Sequence, residues 1–447
     1  MTDIRSYLEE HREDMISLLR ELVAVRSVQG EAEEGFPFGR EPARALGIML
    51  DRCRELGFAV ENVDNYAGSA DLGDSPLLGI LTHLDVVPEG TGWKASPYTL
   101  REEDGKLVGR GAIDDKGPAV AALYALLAIR ETGRTLKHGV RLIFGTNEEN
   151  GSADLAYYRT KRELPQYVFT PDGSYPVING EKGMLRVYFS TYWGVSVEIC
   201  AGSVINAVPS LCKLVSEFDP EKRGGVMMDD KGRWSKLTTA FTEVTEFNGV
   251  SAHASTPEKG ENAITKMLES GIIACEPVKE LARLFPHGET DGSSCGLGFS
   301  DEISGKMTCV LSMLNTENNV LHGAIDIRFP LDRTKAEISG IICGALEGAG
   351  FTVDSCEGVE PHITDGNSDF VKALLSAYTR VTGEKGECIS IGGGTYVHEI
   401  EGGVAFGAEF PGREYNMHGP EEYITADELI DDAEIMAEAI AGICCAS

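Results

Sequence analysis

The chain has 447 residues, 42% of them hydrophobic and 25% charged, with a formal net charge of −31 from 71 acidic and 40 basic residues. That length is enough for two or three domains. The acidic excess disfavours a polyphosphate partner, so no nucleic-acid binding is expected. No run of about 18 apolar residues occurs, so no membrane span is expected either.

The opening MTDIRSYLEEHREDM lacks a basic stretch followed by an apolar one, and no secretory signal is expected. The 11 cysteines are scattered without a CxxC pair, which reads as reduced thiols in a cytoplasmic protein. Ile4, Leu8, Met15, Leu18, Leu19, Leu22 and Val23 recur near period 3.6 and predict a helix over residues 4–25. A second helix is expected from Glu41 to Leu56, followed by a buried strand ending in LLGILTHLDVVP. After a Gly-rich turn, KGPAVAALYALLAIRET predicts a helix from Lys116 to Thr132. GVRLIFGTNEE and LPQYVFTPDG then read as two more buried strands that finish in polar residues. Strands alternating with helices predict an α/β fold with a mixed, largely parallel sheet flanked by helices.

From about Met184 the texture changes. MLRVYFSTYW, VSVEICAG, KMTCVLSMLNTENN and VLHGAIDIRFP alternate as strands, with helical pieces near residues 263–274 and 334–346. This stretch reads as an α+β domain inserted into the first. The expected division is residues 1–185 and 366–447 for one domain and 186–365 for the insert. The chain closes with SDFVKALLSAYTRVTG, a Gly-rich turn, a short apolar run and a helix from Ala426 to Ile443.

The residues with chemistry fall where strands finish, which is where such sheets carry their sites. HLDVVP supplies His83 and Asp85, two apart, a spacing that suits an imidazole ligand with a carboxylate behind it, or equally a structural His–Asp pair. GRGAIDDKG supplies Asp114 and Asp115, as ligands or as helix caps. GTNEENGS supplies Glu148 and Glu149, which point apart so that one can bind metal while the other faces substrate; a solvated loop is the plainer alternative. FTPDG supplies Asp172, a ligand or a turn aspartate, and NMHGPEE supplies His418. Nitrogen and oxygen donors without thiolates suit zinc, manganese or cobalt.

HLDVVP, GRGAIDDKG, GTNEE, PDG and MHGPEE, in this order, closely resemble the motifs of the co-catalytic metallopeptidases. That family includes aminoacylase, acetylornithine deacetylase, succinyl-diaminopimelate desuccinylase, glutamate carboxypeptidases and the PepV-type dipeptidases. GEKG, GSVINAVP, GGGTY and VAFGAEFPG are similar to the PepV-type branch. The resemblance covers nearly the whole chain. It implies the phosphorylase/hydrolase-like fold of zinc peptidases, with the insert as a lid that binds substrate. It also implies two divalent ions, zinc first and manganese or cobalt next, with Asp114 as the bridge. His83 and Asp172 would complete one ion, Glu149 and His418 the other. Glu148 would be the general base and Asp85 the support of His83. The Asp114–Asp115 peptide bond is expected to be cis.

The same resemblance assigns oxyanion stabilisation to His253 in GVSAHAS and substrate contacts to Asn206 and Arg328, with a surface-loop histidine and a strand-end surface arginine as the plainer alternatives. GGGT, with Gly393, Gly394 and Thr395, offers backbone amides and a hydroxyl to the same substrate carboxylate, or is a plain turn. The expected activity is therefore hydrolysis of dipeptides by a cytoplasmic metalloprotease, expected to be a monomer because the insert is long. An N-acyl-amino-acid deacylase is the alternative within the same chemistry. A non-catalytic relative is disfavoured, since no expected ligand or base is missing.

Overall fold

A computed structural model describes residues 3–218, 226–228, 234–236 and 241–446. They form two compact units: residues 1–180, 363–390 and 394–447, and residues 181–362 with 391–393.

In the first unit the N-terminal apolar stripe forms two helices, Ile4–Glu10 and Arg12–Val23, instead of one. His11 stands between them with φ −102° and ψ 12°. Its Nδ1 lies 2.8 Å from the Tyr7 carbonyl, and its ring stacks on Tyr7 with centroids 4.1 Å apart. The stripe continues across the break, so periodicity alone does not reveal it. Helix Arg40–Glu55 buries Leu46, Met49, Leu50 and Cys53 along one face. Helix Lys116–Glu131 is buried almost all round, as its Ala/Leu composition requires, and packs against both Arg12–Val23 and the terminal helix Ala426–Cys444. Thr425 and Glu428 close a capping box at the start of that terminal helix.

Among the described residues, nine strands form the sheet of this unit. Its middle is parallel: Gly139–Gly145, Pro76–His83, Tyr167–Thr170 and Val404–Ala405 lie side by side. Both margins are antiparallel. Strands Ala59–Val63 and Ala67–Leu72 must be, because only a short turn joins them. Asp64 and Asn65 turn the chain there with φ of 52° and 59°, a conformation that Asp and Asn tolerate well.

The second unit has a seven-stranded sheet among the described residues, and its described pairings are all antiparallel. Its order is Phe241–Asn248, Leu211–Phe218, Val197–Ala201, Thr308–Glu317, Val320–Phe329, Gly183–Tyr192 and Thr352–Val359. Val187, Phe189, Ile325 and Ile327 share one core with Ile264 and Met267 of helix Ala263–Glu269 and with Ile338, Ile342 and Leu346 of helix Lys335–Gly348. The helix expected to reach residue 274 ends earlier, with Gly271 at φ +70°, and a second helix, Glu276–Leu284, begins after it. No helix among the described residues is long and apolar enough to cross a membrane.

Candidate metal centre

Three neighbouring parallel strands end at the same edge of the first sheet, and each delivers part of the site. His83 is the last residue of Pro76–His83 and is fully buried. Glu148 and Glu149 follow Gly139–Gly145, and Asp172 follows Tyr167–Thr170. Asp114 sits in the turn that opens helix Lys116–Glu131, and its peptide bond to Asp115 is cis. His418 lies in the loop before strand Tyr423–Thr425.

The donor atoms converge as two groups that share Asp114: His83, Asp114 and Asp172, and Asp114, Glu149 and His418, each with ligand atoms within 4.8 Å of one another. His83 Nε2 stands 3.0 Å from Asp114 Oδ1 and 3.7 Å from Asp172 Oδ2. His418 Nε2 stands 2.7 Å from Asp114 Oδ2 and 3.3 Å from Glu149 Oε2. Asp114 thus offers a different oxygen to each imidazole.

The site fits metal ions on its own geometry. His83 Nδ1 faces the Asp85 carbonyl at 3.1 Å and the Asp85 Oδ1 at 3.4 Å, which places the ring proton on Nδ1. Nε2 is then the ring atom left to ligate, and it is buried with no aligned hydrogen-bond partner among the described residues. Burial and the facing Asp114 charge push the Asp172 carboxyl up to about 7. Glu149 is raised by burial and Asp114, and Glu148 is held well above its ordinary value by burial and Asp172. Partial desolvation by the surrounding protein works against protonation of the half-exposed His418, yet Asp114 and Glu149 outweigh it and raise the ring to about 11. So many carboxylates in one buried place repel one another unless they take up protons or a cation, and divalent ions would compensate them.

Asp85 supports the Glu148–Glu149 turn as well as His83. Its two oxygens accept the Glu148 N–H at 3.1 Å and the Glu149 N–H at 3.2 Å. The strand stops at His83, so Asp85 reaches the imidazole from the following loop and not from a shared strand face. Glu149 Oε1 in turn accepts the Val87 N–H at 3.2 Å.

His253, Asn206 and Arg328 belong to the second unit. The Asn206 carbonyl accepts the Ala254 N–H at 2.9 Å. His253 Nδ1 accepts the Ser255 N–H at 3.2 Å, with the Ser255 hydroxyl at 2.7 Å. Arg328 is buried and gripped by Asp326: Nε donates to Oδ1 at 2.6 Å and Nη2 to Oδ2 at 3.1 Å. Its Nη1 donates to the Gly392 carbonyl at 3.0 Å, so three of the five guanidinium N–H groups have partners among the described residues. Gly393 lies in the second unit, whereas Gly394 and Thr395 lie in the first.

Sequence reasoning gave no role to Arg110, Glu422, Asp154 or Tyr396. Asp154 Oδ2 accepts the Thr146 N–H at 2.6 Å, the Asn147 N–H at 2.8 Å and the Tyr396 hydroxyl at 2.5 Å, and so anchors the chain just before Glu148. Arg110 and Glu422 form a buried ion pair beside the site. The available signal was a charged residue between two glycines, GRG, just ahead of the Asp114–Asp115 pair.

The profile of Peptidase family M20/M25/M40 matches residues 79–442. The Bacillus subtilis (strain 168) protein YtjP is 32% identical over 458 residues, covering 96% of this chain and 97% of that one. The Beta-Ala-Xaa dipeptidase of Lactobacillus delbrueckii subsp. lactis is 31% identical over 466 residues, covering 98% and 97%. Among solved structures, human carnosine dipeptidase 1 superposes with a TM-score of 0.64 at 19% identity, covering 98% of each chain, and shares the fold.

Proposed function

Because the chain belongs to peptidase family M20/M25/M40, and is a hydrolase acting on peptide bonds, we propose that it is a dinuclear metal-dependent dipeptidase. One observation carries this reading: Asp114 turns one carboxylate oxygen to the His83 group and the other to the His418 group. His83, Asp114 and Asp172 would hold one ion, and Asp114, Glu149 and His418 the other, with zinc the first candidate and manganese or cobalt sharing the donor set. Bound ions of this kind acidify a water and polarise a carbonyl.

The remaining steps fall to side chains. Glu148 takes the proton from the attacking water and hands it to the leaving amine. His253 donates to the developing oxyanion through Nε2, since Nδ1 is the acceptor of the Ser255 N–H. Arg328 offers its remaining N–H groups to the C-terminal carboxylate of the substrate, with Asn206, Gly393, Gly394 and Thr395 as further contacts. Dipeptides are the substrate class, supported by the Lactobacillus relative named for Beta-Ala-Xaa dipeptides. A cytoplasmic monomer is part of the same proposal.

The test is a substrate panel on purified protein: α-dipeptides, β-alanyl dipeptides, and acetyl- and succinyl-amino acids. Chelator-sensitive cleavage of dipeptides, restored by zinc or manganese, is the expected result. Turnover confined to the acyl-amino acids would replace the dipeptidase reading with a deacylase.

A further inference from the structure

We propose that Arg110 and Glu422 are a positioning pair that sets the distance between Asp114 and His418, and thereby the affinity of the Asp114–Glu149–His418 donor group for its ion. The inference rests on the two-ion reading above.

The pair is almost sealed from solvent, with Arg110 1% and Glu422 0% exposed. Glu422 Oε2 accepts from Arg110 Nη1. Its other oxygen, Oε1, accepts the Ile113 N–H at 3.2 Å and the Asp114 N–H at 3.4 Å. Arg110 Nη2 donates to the His418 carbonyl at 3.1 Å, with the Pro88 and Glu89 carbonyls at 3.4 Å. A single ion pair therefore holds the backbone of one ligand at each end. Local pairing delivers the two residues to each other: Lys106–Val108 runs antiparallel to Tyr423–Thr425, and the Gly109 N–H extends the ladder to the Glu422 carbonyl at 2.9 Å.

His418 needs such a hold more than His83 does. His83 is 0% exposed at the end of a paired strand, whereas the His418 side chain is 53% exposed on a loop. That loop places three non-glycine residues, Asn416, His418 and Glu421, at φ of 55°, 59° and 59°. Asn tolerates this conformation, whereas Glu421 above all holds it only where the surroundings impose it. Packing alone does not explain the pair. Burying two charges costs desolvation that a well-packed apolar pair avoids, so a buried ion pair is weak evidence of a stabilising role. Its distinctive property is directional: an apolar pair of the same volume cannot receive the Asp114 N–H or hold the His418 carbonyl.

The experiment uses full-length apoprotein and zinc, titrated against a chromophoric chelator, with stoichiometry from native mass spectrometry and thermal unfolding of the apo form. Wild type is compared with Glu422→Gln and with the double variant Arg110→Met/Glu422→Leu, which leaves no unpaired buried charge. The expected result is two ions on the wild type. In both variants one site weakens about 10- to 100-fold, the loss typical of removing a group that orients a ligand. The His83–Asp114–Asp172 site, which shares Asp114 but not His418, weakens by a smaller factor, and apo unfolding of the double variant moves by no more than a few degrees because no buried charge is left unpaired. Wild-type affinity at both sites in both variants overturns the inference, and so does equal weakening of both sites together with a large fall in apo unfolding temperature. Fewer than two ions on the wild type overturns the two-ion reading itself, and is recognised without any variant.

Discussion

Asp115 Oδ2 accepts the backbone N–H of His83 at 3.0 Å, tying the turn that carries one proposed metal ligand to the strand end that carries another. Asp115 is fully buried, so nothing in solvent can replace this bond. Asp115→Ala leaves the buried His83 N–H unpaired and should cost about 1–3 kcal/mol of unfolding free energy. Asp115→Asn keeps an acceptor in the same place and should cost less than half as much. Urea unfolding of the two apo variants makes the comparison; equal losses would show that the charge, not the hydrogen bond, matters.

The general-base assignment separates metal binding from turnover. Glu148→Gln should keep the wild-type metal content and lose about 100-fold or more in kcat on a dipeptide. Near-normal turnover by the metal-loaded variant removes Glu148 from the mechanism.

Gly145 precedes the Glu148–Glu149 turn and has no room for a side chain. A Cβ there would overlap the Tyr396 hydroxyl and the Asp154 carboxylate, the groups that anchor Thr146 and Asn147. Both are buried and hydrogen-bonded to each other, so neither can move aside cheaply. Gly145→Ala should cost about 3 kcal/mol or more, in the class of overpacked core substitutions. Adding Tyr396→Phe should recover part of the loss in thermal unfolding, because the hydroxyl is then gone.

Asp432 gives the fold a pH dependence remote from the metal site. It is fully buried in the terminal helix and accepts the Tyr175 hydroxyl at 2.5 Å. Burial pushes its carboxyl up to about 7, although the Tyr175 hydrogen bond works the other way. The folded value lies above the unfolded value of about 3.9. Its contribution is therefore fully present below about pH 4 and is lost as pH rises through 7, a change on the order of 4 kcal/mol at most. Asp432→Asn cannot ionise and keeps an acceptor for Tyr175. The unfolding free energy of the variant should gain on wild type steadily between about pH 4 and pH 7 and run parallel to it above that. A constant difference across this range would contradict the shift.

Much of this protein is legible in local sequence. The apolar runs mark the strands before His83, Glu148 and Asp172, and the Ala/Leu stretch after Asp115 marks helix Lys116–Glu131. Donor residues at strand ends define the available chemistry, and the order of the motifs identifies the family. These signals survive because periodicity and turn chemistry act over a few residues.

What the sequence alone left open are the relationships across long separations. No local pattern states that the parallel strands stop at four, with antiparallel margins on both sides. His11 divides a helix whose apolar stripe reads as continuous, because a one-residue break barely disturbs the spacing. Residue types alone made Asp114 a candidate ligand and the order of the motifs made it the expected bridge; that its two oxygens face different imidazoles follows from the way the turn before helix Lys116–Glu131 and the His418 loop meet. Arg110 and Glu422 stand 312 residues apart and find each other through a strand pairing that only the folded chain supplies. Donor identity is a property of each residue and can be read locally. Donor geometry depends on strand order and loop closure, and these are decided by the packing of the whole chain.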